Sequence, residues 1–350
     1  MTTVFADPRR RNLAILAAAA VVSVVLAVLA LDHRAAVEAP KYPPHEFFPG
    51  LAGELNQVSR IHVASKTGAF DIVFKPTKGW VVPGRNNYPA SIDEVRKTLV
   101  GIAALETMDP KTARPDWYHF VDLDAPPKGN AVIITLANDK GDALATLIAG
   151  KTEDIGDASG SVGLFARKPD DAQSWLVRSP FTPRADQTHW LDKDVVNVDR
   201  SRIEETDVTP SSGPAYSVSR AKPSDPDFML DQMPKGRELA YAGSPDTVAT
   251  AITNFTFDDI KPADGMDFSH AARLVTKTFD GLVVTAEVVK QGADYWCRLA
   301  ANAQPGKTDA AKEAEAVNTH ADGWVFKLDP YKGAAFDATL ESLLKPKAKK

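Results

Sequence analysis

Hydrophobic and polar positions change rhythm along the chain, and each rhythm predicts a different element. Residues 13–31 run for nineteen positions without a charge, and Ser23 is the only polar side chain among them. Wound as a helix this run measures about 28 Å at ~1.5 Å per residue, close to the ~30 Å hydrocarbon core of a bilayer. Residues 35–50 then lose all periodicity and are rich in proline, the pattern of a stalk. Strict alternation follows. Ile61 and Val63, then Phe70, Ile72 and Phe74, then Trp80 and Val82 predict three short strands. Ser91-Ile92-Asp93-Glu94 has the spacing of a capping box, in which Ser91 accepts from the N3 amide and Glu94 reaches back to the cap amide. Val95, Leu99 and Ile102 place the apolar face of the helix that follows. Four more strands are expected at 132–136, 143–149, 162–166 and 175–177, with turn chemistry at Asp139-Lys140-Gly141 and Asp170-Asp171.

The same order then returns. Strands are expected at 203–208, 216–218 and 228–230, followed by a helix from Ser244-Pro245-Asp246, with Ser244 as cap and proline at the first helical position. Tyr88, Ser91, Asp93, Val95 and Leu99 correspond to Tyr241, Ser244, Asp246, Val248 and Ile252 at one constant offset of 153. Asp139-Lys140-Gly141 is echoed by Phe279-Asp280-Gly281, and Ala172-Gln173-Ser174-Trp175 by Ala321-Asp322-Gly323-Trp324. A final helix is expected over 331–344. The predicted class is α+β: an N-terminal transmembrane helix, then two tandem, repeat-related, mainly antiparallel sheet modules, each with one packed helix. The divisions are a cytoplasmic tail at 1–11, the anchor at 12–31, a proline-rich stalk at 32–50, modules at 51–200 and 201–345, and a basic tail at 346–350.

Charge sets the orientation. Arg9, Arg10 and Arg11 precede the apolar run, so the short tail belongs inside an inner membrane and the bulk of the chain in the periplasm. A cleaved signal peptide ending near Val28-Leu29-Ala30 is the competing reading. Its apolar region is usually only ~7–15 residues long, and both readings export the remainder. Residues 1–34 hold four arginines and two aspartates, leaving 37 basic and 44 acidic groups beyond them, a net of −7. A soluble region of that sign has no electrostatic reason to bind nucleic acid. Cys297 is the only cysteine, so no intramolecular disulfide forms, and its alternation with Tyr295 and Leu299 reads as a buried structural thiol.

Chemistry is sparse. Gly150-Lys151-Thr152 and Gly306-Lys307-Thr308 suggest phosphate loops, but Ala145 and Ala301 stand where the motif needs glycine. The seven histidines show no metal-ligand spacing. Asp258, Asp259, Asp264 and Asp267 read as solvated turns, with a weak calcium site as the alternative. No GxSxG is present, and Ser159-Gly160-Ser161 is loop chemistry. No catalytic, cofactor or metal set emerges. His119 has aromatic neighbours that suit either a groove or a surface cluster. The segment from Asp109 to Tyr118 mixes cations, prolines and aromatics, making Lys111, Arg114, Trp117 and Tyr118 a candidate interaction loop, with an ordered connection as the alternative. Its counterpart in the second half, 259–268, is acidic.

Gly79-Trp80-Val81-Val82, Tyr88-Pro89-Ala90, Pro110-Lys111-Thr112-Ala113-Arg114-Pro115 and Trp190-Leu191-Asp192-Lys193 occur in an order that resembles the bacterial domain-of-unknown-function 4340 family. The resemblance is best over about residues 50–200. It implies one transmembrane helix and an exported domain, and a role as accessory subunit beside an ABC permease and a gliding-motility-like auxiliary protein. It implies no catalytic residues. Three functions are therefore expected in turn: a non-enzymatic tethered subunit of a transport system, a lipid-, glycan- or cell-wall-binding module using a cleft lined by Trp80, Trp117, Tyr118 and Trp190 between the repeats, with core packing as the other reading of those rings, or a hydrolase without a recognisable motif.

Overall fold

The computed structural model describes residues 8–38 and 42–346. The expected tail residues 1–7 and 347–350, and stalk residues 39–41, lie outside the described residues. Helix α1 (Pro8–Glu38) carries the apolar run, and its described side chains from Ile15 to Ala30 are all exposed. Among the described residues no helix is long and apolar enough to cross a membrane. The apolar run read from the sequence extends past the described side chains at both ends.

The first sheet is built from β1 (Arg60–Ser65), β2 (Gly68–Lys75), β3 (Gly79–Val82), β4 (Tyr88–Pro89), β5 (Glu106–Pro110), β6 (Val132–Ala137), β7 (Ala143–Glu153), β8 (Val162–Arg167) and β9 (Trp175–Ser179). Its strand order is β4-β3-β2-β1-β6-β7-β8-β9-β5. The second sheet uses β10 (Ile203–Thr209), β11 (Tyr216–Ser219), β12 (Met229–Leu230), β13 (Asp259–Pro262), β14 (Ala272–Thr278), β15 (Leu282–Gln291), β16 (Asp294–Ala303) and β17 (Trp324–Leu328), in the order β12-β11-β10-β14-β15-β16-β17-β13. Apart from β4, which has no counterpart among the described residues of the second half, the two orders are the same. The strand after the helix travels in each case to the far edge beside the last strand. All pairings are antiparallel, so both layers are α+β sheets made of hairpins. The equivalent hairpins β6–β7 and β14–β15 both turn through a glycine at positive φ, Gly141 at 88° and Gly281 at 96°.

Alternation explains the strands. In β15, Leu282, Val284, Ala286 and Val288 are buried while their neighbours are half-buried. Between β4 and β5 lies α2 (Ile92–Ala103), whose Val95, Thr98, Gly101 and Ile102 face the sheet. Only half of the expected capping box forms. Glu94 N donates to Ser91 Oγ at 3.4 Å, but the Ser91 amide donates to Trp190 O and the Glu94 carboxylate turns to His189.

The second module departs from the expected single helix. It carries α3 (Ser244–Ala249), α4 (Thr308–Ala321) and α5 (Pro330–Phe336). Ser244 is not the cap: Gly243 holds that place, and the buried Ser244 hydroxyl donates to Leu343 O at 2.9 Å. The expected terminal helix over 331–344 breaks into α5 and a 3-10 turn, Leu340–Leu343, where Asp337 turns out to accept from the Ser211 amide and hydroxyl. That turn stands 153 residues beyond the 3-10 turn Gln187–Trp190, the same offset read in the sequence, and each closes its module against the segment before its helix.

The stalk is shorter than expected. Phe47 and Leu51 are buried, Glu46 bridges to Glu106 of β5, Phe47 N donates to Leu105 O and Thr107 N to His45 O. The chain is thus fastened to the open edge of the first sheet from His45 onward. One continuous apolar core runs through both modules, taking Ile61, Ile134 and Trp190 from the first and Val284, Phe326 and Phe336 from the second. Tyr88 of β4 sits at the joint, edge-on to Trp324, Phe257 and Phe326 of the second module, and Arg85 pairs with Asp259 through two contacts of 2.7 and 3.0 Å.

Candidate functional site

Two surfaces gather polar or aromatic groups. The first arises because the connection after β5 is long. It covers residues 111–131, whereas the equivalent connection after β13 covers only 263–271. The longer loop folds over the outer face of the first sheet through a 3-10 turn, Pro115–Val121, and seals a small separate core of Tyr118, Leu123, Ala131, Ile148, Phe165 and Leu176. Gly150 of β7 permits this approach, since a Cβ there would stand 2.1 Å from the Val121 carbonyl oxygen.

The four candidate residues separate at this point. Tyr118 points inward, 6 % exposed, with its hydroxyl donating to Ala172 O at 2.6 Å and the Arg167 guanidinium 4.7 Å above its ring. It is a packing residue. Trp117 and Phe120 point outward, 47 % and 63 % exposed. Arg114 lies 4.6 Å over the Trp117 ring and pairs with Asp116, while Lys111 pairs with Asp109 at 2.9 Å. Lys111 and Lys151 both approach the Phe165 ring, at 5.9 and 5.5 Å. Lys111, Arg114, Trp117, Phe120 and Phe165 border a shallow groove of about 490 Å³. Composition identified Lys111, Arg114 and Trp117. Phe120 and Phe165 of the lining, and Lys151 beside Phe165, were not among the candidates. Phe120 follows Trp117 by three residues, the period of a 3-10 turn, and that spacing was the available signal. His119 is exposed and stacks on Phe120 at 3.9 Å.

The second surface is a cleft of about 920 Å³ between the modules. Glu94 and Asp93 of α2 face it from one side, Asp192, Lys193 and Asn197 from the linking segment, and Asn254, Thr256 and His320 from the second module. His189 Nε2 lies 3.2 Å from Glu94 and His320 Nε2 lies 3.8 Å from Asp192, so two imidazole–carboxylate pairs face one space. The aromatic cleft expected from the sequence does not form. Trp190 is fully buried in the main core, Trp80 packs on Phe74, Tyr118 belongs to the small core, and Trp117 lies on the outer face. Burial of large apolar area drew Trp190 and Tyr118 inward, the core-packing alternative, while Trp80 stays half-buried.

The remaining candidates fall into structural roles. Gly150-Lys151-Thr152 lies within β7. Of the acidic group at 258–267, Asp259 is held by Arg85 and Asp267 accepts from the Ser269 amide. Among the described residues no group of three or more His, Cys, Asp or Glu side chains could hold a metal. Cys297 is fully buried, and burial pushes its thiol well above the usual range.

Two antiparallel sheets of the same strand order on one core define an α+β protein of paired modules. The chain belongs to the family described as Domain of unknown function (DUF4340), which matches residues 80–271. That match runs past the linking segment and ends just before β14, reaching further into the second module than the sequence motifs alone suggested. No curated protein and no solved structure matches the chain.

Proposed function

We propose that the protein is a non-enzymatic, membrane-tethered periplasmic subunit, most simply the accessory component of an ABC-type transport system that the family resemblance implies. The observation that carries this reading is the pairing of α1 with the stalk. The described apolar side chains of α1 are exposed all round, with Leu16 at 69 % and Leu26 at 60 %, a surface that water does not tolerate and lipid does. The stalk is then fastened by backbone bonds to a rigid two-module body, so the position of that body follows the position of the helix. Arg9–Arg11 favour an N-terminus inside. Mild-detergent purification of the full chain from its native membranes tests the role. Recovery with a permease and ATPase supports it, and recovery alone overturns it.

A second reading, a periplasmic ligand-binding module, is favoured by the cleft between the modules. Its lining of carboxylates, imidazoles and amides suits a hydroxyl-rich ligand such as a glycan or cell-wall fragment more than an acyl chain. Titration calorimetry with soluble peptidoglycan fragments tests it. Heat that disappears in Asn197→Ala supports the reading, and no heat at millimolar ligand removes it.

A further inference from the structure

The tether leaves the body toward one particular surface. Glu46 pairs antiparallel with Glu106, and His45 lies against Thr107 through its amide, carbonyl and ring. Traced back toward α1, the chain therefore runs alongside β5 in the direction of Pro110. The His45 ring meets Trp175, the register partner of Pro110, edge-on at 5.5 Å. Pro110 is where the loop carrying Trp117 and Phe120 begins, so the exposed groove lies at the end of the module from which the tether departs.

The tether is also short. From Leu31 to His45 the chain comprises seven helical residues, through Glu38, and seven more. At ~1.5 Å and at most ~3.5 Å each, they reach no more than about 35 Å from the end of the apolar run. The groove begins at Pro110, three residues beyond Thr107 in the direction the chain takes back from His45. Its composition matches what the headgroup zone of a bilayer favours. Trp117 and Phe120 supply exposed rings, Lys111 and Arg114 line the groove as cations paired with Asp109 and Asp116, and Lys151 adds a third cation beside the Phe165 ring. Within a net acidic region, these side chains carry three cations to two carboxylates.

We propose that the loop from Lys111 to Phe120 seats the first module on the bilayer that holds α1, with Trp117 and Phe120 among the headgroups and Arg114 and Lys151 on phospholipid phosphates. The proposal rests on the tethered reading and adds to it a fixed resting face. A body held both by its anchor and by this loop keeps one side toward the membrane and presents the second module outward.

The full chain, reconstituted in phosphatidylcholine–phosphatidylglycerol vesicles containing brominated acyl chains, provides the test. Flotation after a high-salt wash reads the anchor, and quenching of tryptophan fluorescence reads the seat. Brominated lipid is expected to quench the wild type and to lose most of that effect in Trp117→Phe. It should also lose it in Arg114→Glu combined with Lys151→Glu, whose exposed sites leave the fold intact by circular dichroism. A chain that floats but whose Trp117 answers only to aqueous acrylamide overturns the seat and leaves the tether standing, and points to a protein partner for the groove. A chain that does not float overturns both.

Discussion

Replacing Tyr88 should show whether the two modules stand as one unit. Its side chain is fully buried, its hydroxyl donates to the Asp192 carbonyl at 3.0 Å, and its ring meets three aromatic rings of the second module at centroid distances of 5.1 to 6.4 Å. Tyr88→Phe removes the hydrogen bond and keeps the ring, so the expected loss is about 1 kcal/mol. Tyr88→Ala also removes a large buried ring, and truncations of that size cost ~3–5 kcal/mol, giving ~4–6 kcal/mol in all. Against a typical total of ~5–15 kcal/mol, that takes much of the stability of the body. Urea unfolding of the full chain in detergent, followed by tryptophan fluorescence, measures the loss. Hydrogen exchange then locates it, because the rings that lose their neighbour lie on β17 and next to β13. Faster exchange is expected at Phe257 and from Trp324 to Phe326 as well as around Asp192. A loss below about 2 kcal/mol for Tyr88→Ala, or exchange altered only within the first module, would refute the argument that this ring joins the modules.

Three further outcomes are expected. Gly150→Ala sets a methyl against the Val121 carbonyl, which is backbone and cannot swing aside, so it should cost ~1–3 kcal/mol and raise protease cleavage within 111–131; unchanged stability and digestion would mean that the loop does not lie on β7. Arg85→Ala breaks a half-buried pair with Asp259 and should cost about 1 kcal/mol, less in high salt, as read by urea midpoints at two ionic strengths. Burial raises the Tyr88 and Tyr216 phenols and the Cys297 thiol, so the native state holds protons that the unfolded chain has released. Stability from these groups is complete below the unfolded values of ~8.5 for Cys and ~10 for Tyr, and falls as pH rises above them. The urea midpoint should therefore drop between about pH 8.5 and 11, and Cys297→Ala should flatten the first part of that fall.

Much of the fold could be read from alternation because most strands bury one face. The exceptions are informative. Strands β5 and β13 are the far edges of their sheets, and Glu106-Thr107-Met108-Asp109-Pro110 and Asp259-Ile260-Lys261-Pro262 show little apolar rhythm because an edge strand buries few side chains. Helix α4 was missed for a related reason. It packs through Ala310, Ala314, Val317 and Ala321, correctly spaced positions filled mostly by the smallest apolar residue. The extra turn of order at 187–190 and 340–343 is invisible in hydropathy but sits at the 153 offset, so correspondence between the halves was the stronger signal. In the candidate loop, composition marked the segment from Asp109 to Tyr118. It could not separate Tyr118 from Trp117, since which neighbour turns inward depends on the 3-10 winding and on Phe165 and Leu176 beneath it.

The pairing of the stalk with β5 has a consequence for handling this protein. Glu106–Pro110 is the last strand of a nine-stranded sheet, and the residues from His45 to Phe47 cover its beginning, with Thr107 N donating to His45 O and Phe47 N to Leu105 O. A form trimmed to begin at Leu51 would bare the Thr107 amide and the Leu105 carbonyl at that edge and lengthen the free template for pairing with another copy. Such a truncation should self-associate, whereas one that retains Tyr42–Gly50 should stay monomeric by light scattering. The segment that ties the body to its helix is thus also what covers that edge against a neighbouring copy.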